Sequence, residues 1–284
     1  MVTEASRSLC QIAEQLIETC PVGLGQEVAL VGSAGWGIAD EHSDIDLQFW
    51  VRQLPPYETI TNWAASAGVT LLSTREDTES DKVLHFIGHY HAAWVELTWS
   101  TITSWEDEIR AILTGNTIER SRIGQAWNIA TAMPLRTQGL IDLWQHQVAD
   151  YPEVVQSRLI ASSSAFWRFP HHLEVLWTLA SRGELLGLDE WLLADLQDGL
   201  RILFAINRQW EPDWKNLRAA SKLLTQAPDQ LAERVNALFL TQIPEERVEL
   251  LLRLLLDILA LVPKSYDIST ARANIEASLQ AHYT

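Results

Sequence analysis

The sequence predicts an α+β fold, an N-terminal mixed sheet with helices followed by an all-α helical bundle. Strand-like alternation is confined to residues 1–113, interleaved there with short helical patterns. From residue 114 onward apolar residues recur at helical spacing, and the segments are punctuated by Pro134, Pro152, Pro170, Pro212, Pro228, Pro244 and Pro263. The domains expected are therefore 1–113 and 114–284.

The first element is an amphipathic helix, because Leu9, Ile12, Ala13, Leu16 and Ile17 fall on one face. Strands are expected at 27–33, 45–51, 69–74, 83–90 and 92–100, with helices at 58–66 and 105–113. In the second half, segments such as LLADLQDGLRILFAINRQW and EERVELLLRLLLDILALV are apolar over a wide stripe, as in helices packed inside a bundle. About six helices of ordinary length fit this region, and it has no strand pattern, fixed-period repeat or low-complexity stretch.

Composition narrows the functional classes. With 284 residues and 47% hydrophobic content, the chain is long enough to bury a sizeable core. Its longest apolar run, 250–262, is broken by Arg253 and Asp257, so no membrane span is expected. The opening MVTEASRSLCQIAEQLIE is acidic and polar where a signal peptide would be basic and then apolar, so the expected location is cytoplasmic. Cys10 and Cys20 are the only cysteines and read as reduced packing residues. A formal charge of −16 argues against long nucleic acid, which needs clustered Lys and Arg. It admits a nucleotide if a metal ion carries compensating charge, and it favours a cationic small molecule. The thirteen tryptophans read mainly as core, with a few left to line a pocket.

The stretch VGSAGWGIADEHSDIDLQFWV, residues 31–51, carries the chemistry. Side chains alternate along a strand, so Asp44, Asp46, Gln48 and Trp50 share one face, while Ile45, Leu47, Phe49 and Val51 face the core. Two carboxylates then stand about 7 Å apart at their Cα atoms. In AAWVELTWS, Glu96 lies with Trp94 and Thr98, opposite Val95, Leu97 and Trp99. Three acids on one patch repel unless a cation sits among them. Magnesium takes oxygen ligands and completes its shell with phosphates. Two such ions about 4 Å apart can serve an in-line displacement at phosphorus. Gly32 and Ser33 end the apolar run VALV, and the loop with Gly35 and Gly37 lets backbone N–H groups and the Ser33 hydroxyl approach phosphate oxygens.

This string resembles the nucleotidyltransferase superfamily that includes DNA polymerase beta. It is most similar to the small nucleotidyltransferases of the aminoglycoside and lincosamide resistance type. Gly32, Ser33, Asp44, Ile45, Asp46 and Leu47 match the family pattern, and the resemblance covers about residues 27–100. The helical half resembles the family only in architecture. The resemblance implies that Asp44 and Asp46 hold magnesium, two ions in all, and that Gly32 and Ser33 contact the triphosphate. It implies that Glu96 either completes the metal shell or accepts the proton of the attacking hydroxyl. The implied reaction moves a nucleoside monophosphate, AMP from ATP, to a hydroxyl of a small and cationic acceptor such as an aminoglycoside, releasing pyrophosphate. Two alternatives share the fold: a protein adenylyltransferase of the antitoxin type, and a nucleotide sensor without turnover.

One departure is Trp36, where many relatives carry Arg or Lys. Lys215, in AINRQWEPDWKNLRAASKLL, is the candidate for the missing phosphate-pairing cation, ahead of Arg218 and Lys222. Asp40 and Glu41 read as solvated loop charges. His85, His89 and His91 are clustered, but read as cover for the sheet edge rather than as a zinc site, which needs three or four converging ligands. His171 and His172 follow a proline and read as exposed or as a helix start.

Overall fold

The computed structural model describes residues 2–76 and 83–282. It divides into two compact units, Met1–Asp150 and Tyr151–Thr284. The first opens with α1 (Glu4–Glu18), whose apolar face buries Leu9, Ala13, Leu16 and Ile17. Thr3 caps this helix by accepting from Ser6 N at 3.1 Å, and its own hydroxyl donates to Ala39 O at 2.7 Å. The cap thereby ties the helix start to a loop more than thirty residues onward.

A six-stranded sheet follows. Its strands are β1 (Glu27–Val31), β2 (Ile45–Val51), β3 (Val69–Glu76), β4 (Val83–Tyr90), β5 (Ala93–Thr101) and β6 (Met133–Arg136), in the spatial order β3-β4-β5-β2-β1-β6. All neighbours are antiparallel except β2 and β5, which run parallel. The helices of this unit are α1, α2 (Gly32–Trp36), α3 (Tyr57–Ser66), α4 (Ile102–Leu113), α5 (Arg120–Thr131) and α6 (Leu140–Ala149). Helix α4 starts earlier than the periodicity suggested because Thr101 Oγ1 caps it, accepting from Ser104 N at 3.2 Å.

The two faces of the sheet differ. One buries Leu30, Ile45, Leu47, Phe49, Leu97, Trp99 and Phe86 in a core shared with α1 and α3. Phe49 stacks on Trp99 with ring centroids 4.2 Å apart, and Trp63 of α3 closes on both edgewise. The opposite face is covered at one end only. There Trp50 of β2 is fully buried against Trp105 of α4 and Trp144 of α6, each with ring centroids 5.2 Å away. Trp50 does share a face with the acids, but it is core, because helices cover that end.

Glu27 fixes α6. Its carboxylate, with no solvent exposure, lies at the start of α6. It accepts from Thr137 Oγ1 at 2.6 Å, Gln138 N at 2.7 Å and Ile141 N at 3.3 Å. Leu140 N also donates to it at 3.4 Å, and the Leu140 and Ile141 N–H groups are otherwise orphaned donors of the α6 N-terminus, where negative charge is favoured. On the neighbouring register, Arg136 donates to the Ile17 and Cys20 carbonyls at 2.8 Å.

Strand β6 was not expected. It is a four-residue edge strand on β1 with Pro134 inside it, and proline is tolerated there because an edge strand can leave one side without a ladder donor. Since α4, α5, β6 and α6 all belong with the sheet, the first unit runs to Asp150 and not to the expected 113. Strand β1 is also shorter than 27–33, because the chain leaves extended geometry at Gly32, with φ 65°.

The second unit is helical throughout among the described residues: α7 (Glu153–Ser163), α8 (Pro170–Arg182), α9 (Leu185–Ile206), α10 (Leu217–Ala220), α11 (Leu231–Leu240), α12 (Pro244–Leu261) and α13 (Ser269–Ala281). Helix α9 packs against α7, α8 and α12. Gly199 permits the close approach of α12, since a Cβ there would stand 2.5 Å from Leu255 Cδ2. Among the described residues, no helix is long and apolar enough to cross a membrane.

Replacing Glu27 by Ala removes the acceptor of the Thr137 hydroxyl and of the Gln138, Leu140 and Ile141 N–H groups, the last of them buried. The expected loss is about 3 kcal/mol of unfolding free energy, read by urea denaturation. A loss below about 1 kcal/mol would show that water or another acceptor replaces the carboxylate.

Candidate active site

The site lies at the uncovered end of the sheet face that carries Trp50. Strand β1 ends at Val31, directly opposite Asp46 of β2. The next residue, Gly32, turns away in left-handed geometry, where a side chain would displace Asp46. Besides the positive φ, a Cβ on Gly32 would lie 2.0 Å from Asp46 Oδ2. The backbone of the Gly-Ser turn therefore runs hard against one of the acids. Helix α2 then carries Ser33 and ends at Gly37, a second left-handed glycine whose N–H bonds the Ala34 carbonyl.

The loop back to β2 is shaped by Asp40. Its Oδ1 accepts from His42 N and Ser43 Oγ, both at 3.0 Å, and these bonds hold its carboxyl below the usual range, the backbone bond from His42 counting most. Asp40 is exposed, as expected, yet it also folds the turn that delivers Asp44 to the mouth of β2.

Asp46 and Glu96 face each other across the parallel pair β2 and β5. Adjacent strands lie about 4.8 Å apart, so register alone brings the two carboxylates side by side. Asp44 joins them from the residue before β2. Ligand oxygens of Asp44, Asp46 and Glu96 all lie within 4.8 Å of one another, and all three residues are half-buried. Farther along the same face Gln48 Nε2 donates to Ser100 Oγ at 3.1 Å, and beyond them Trp50 packs against Trp105. The donor set is oxygen only and acidic, which suits magnesium or manganese rather than zinc or copper.

His85 is the residue that sequence reasoning missed. It lies on β4, on the same face, with Nε2 3.2 Å from Glu96 Oε2. An ionised carboxylate only accepts, so the imidazole nitrogen is the donor. Reading the three histidines together hid this, because it is strand register and not clustering that singles out His85. His89 instead packs its ring against Trp94, centroids 3.9 Å apart, and Trp94 is 51% exposed on the Glu96 face. Trp36 packs edge-on to Trp127 of α5 at 4.7 Å, so this position serves packing.

Lys215 belongs to the second unit. It is exposed on the short turn Trp214–Asn216, where its N–H donates to Asp213 Oδ1 at 3.2 Å. With Arg218, Leu193 and Phe239 it lines a cavity of about 320 Å³.

No protein-family model matches the chain, and no curated protein does. Among solved structures the chain is similar to a nucleotidyltransferase-like protein from Exiguobacterium sibiricum. The TM-score is 0.38 and the identity 12%, over 97% of this chain and 77% of that one.

The Gly32 contact separates two costs. Gly68 also has positive φ, 85°, but nothing lies within 4 Å of its notional Cβ. Gly68→Ala is expected to cost about 1 kcal/mol, the strain of left-handed geometry alone. Gly32→Ala is expected to cost at least about 1 kcal/mol more, since Asp46 must also move. Chemical denaturation in EDTA compares the two; equal losses would mean that the Asp46 carboxylate has room to retreat.

Proposed function

We propose that the protein is a magnesium-dependent nucleotidyltransferase. In this reading it moves AMP from ATP to a hydroxyl of a small, cationic acceptor and releases pyrophosphate. The observation that supports the reading most is the convergence of Asp44, Asp46 and Glu96 within 4.8 Å, beside a turn whose glycine runs hard against Asp46.

Asp44, Asp46 and Glu96 would hold the magnesium. When bound, magnesium neutralises charge on the triphosphate and polarises the phosphorus under attack. Gly32 and Ser33 bind the phosphates, the first by leaving the backbone bare and the second through its hydroxyl. Their place against Asp46 sets the α-phosphate beside the acids. An acceptor hydroxyl oxygen bonds to the α-phosphorus in line with the bridging oxygen, that bridging bond breaks, and pyrophosphate leaves. The hydroxyl proton passes to the Glu96 carboxylate, which stands at the β4 side of the group. The overall charge of −16 concentrates a cationic acceptor around the protein.

The test is incubation with magnesium and each of the four common nucleoside triphosphates against a panel of amino sugars and other hydroxyl acceptors, reading pyrophosphate release. ATP with at least one cationic acceptor is expected to give turnover. Asp46→Asn is expected to lower it at least about 100-fold at saturating magnesium. Turnover by Asp46→Asn at the parent rate would remove this mechanism.

A further inference from the structure

We propose that His85 is a positioning residue for the site, holding the Glu96 carboxylate in the orientation that lets it join Asp44 and Asp46 around a divalent cation. The proposal rests on the reading above that these acids bind magnesium.

The sheet order places β5 between β4 and β2, so Glu96 stands between His85 on one side and Asp46 on the other. In the antiparallel register of β4 and β5, Ile87 lies directly across from Glu96 and His85 directly across from Thr98. Ile87 has no donor to offer. His85 is the diagonal neighbour, at a distance that only a long or ring side chain spans. Its Nε2 reaches Glu96 Oε2 at 3.2 Å, with side-chain exposures of 28% and 40%. A glutamate on a strand has three side-chain torsions, and fixing one carboxylate oxygen from the flank sets the plane of the group.

His85 is not itself placed as a ligand. The group whose ligand atoms lie within 4.8 Å of one another comprises, among the described residues, the three acids without the imidazole. The arrangement is the carboxylate counterpart of an outer-shell partner, and loss of such a partner costs about 10- to 100-fold in metal affinity. Gly32 approaches Asp46 from the far side of the group, so the acids are confined at both flanks.

The test uses the full chain, with no nucleotide or acceptor, and titrates manganous ion while electron paramagnetic resonance reads the free ion. His85→Leu removes the donor and keeps the bulk, and is expected to weaken binding about 10-fold. His85→Gln restores an N–H donor and is expected to recover most of that loss, which a merely structural role would not produce. Asp46→Asn is expected to weaken binding more than His85→Leu does. If Asp46→Asn loses affinity while His85→Leu matches the parent, the positioning role is overturned and the metal reading stands. If Asp46→Asn binds as the parent does, the metal reading fails and takes this inference with it. If His85→Gln is as weak as His85→Leu, the histidine serves packing and the proposal is overturned. Should His85→Leu fail to fold, His85→Phe carries the same comparison.

Discussion

The parallel register of β2 and β5 is the constraint on which the site depends. It is the one parallel pairing in the sheet, and it sets Asp46 level with Glu96. Because side chains alternate, the same register stacks Leu47 beside Leu97 and Phe49 beside Trp99 on the other face. A slip of either strand by one residue would turn its carboxylate into the apolar core and bring its aromatic residue, Phe49 or Trp99, out of it. The aromatic packing that holds β2 against β5 therefore also enforces the juxtaposition of the acids.

Holding like charges together has a cost, and the structure shows where it is offset. Phe49, Trp99 and Trp63 interlock on one face, while Trp50, Trp105 and Trp144 do so on the covered end of the other. Burial of a ring of this size contributes a few kcal/mol. Carboxylates that are only half-buried repel at an intermediate dielectric, a cost of similar order per pair, and six interlocked rings stand against three pairs of acids. Packing wins, and the acids remain where the strands put them.

Much of this was legible in the sequence, for identifiable reasons. Alternation in IDLQFWV separated acids from core, and the positions of Gly32 and Ser33 marked the turn. What escaped was whatever needed strand pairing or helix docking to appear. Strand β6 is four residues with a proline, too short for any period to declare itself. The limit of the first unit at Asp150 follows from that strand and from the buried Glu27 carboxylate that anchors α6, and neither has a sequence signature. Trp50 was on the expected face, but its burial depends on α4 and α6. His85 could be distinguished from His89 and His91 only by knowing that Thr98, and not Glu96, is its register partner.

The role of Trp36 shows why a motif and a fold are legible to different degrees. The Gly-Ser turn and the acids answer to local rules, left-handed geometry and alternation, and those rules act within a few residues. A cation for phosphate has no such restriction, because any element that comes near can supply it. Position 36 makes an edge-to-face contact with Trp127, which fastens α2 to α5. That contact steadies the short helix carrying Ser33, so the tryptophan supports the turn through packing where a cation would have acted through charge. With three acids converging and no nearby position in this turn carrying a basic residue, the charge that brings a triphosphate to the site falls to the divalent ion in the proposed mechanism.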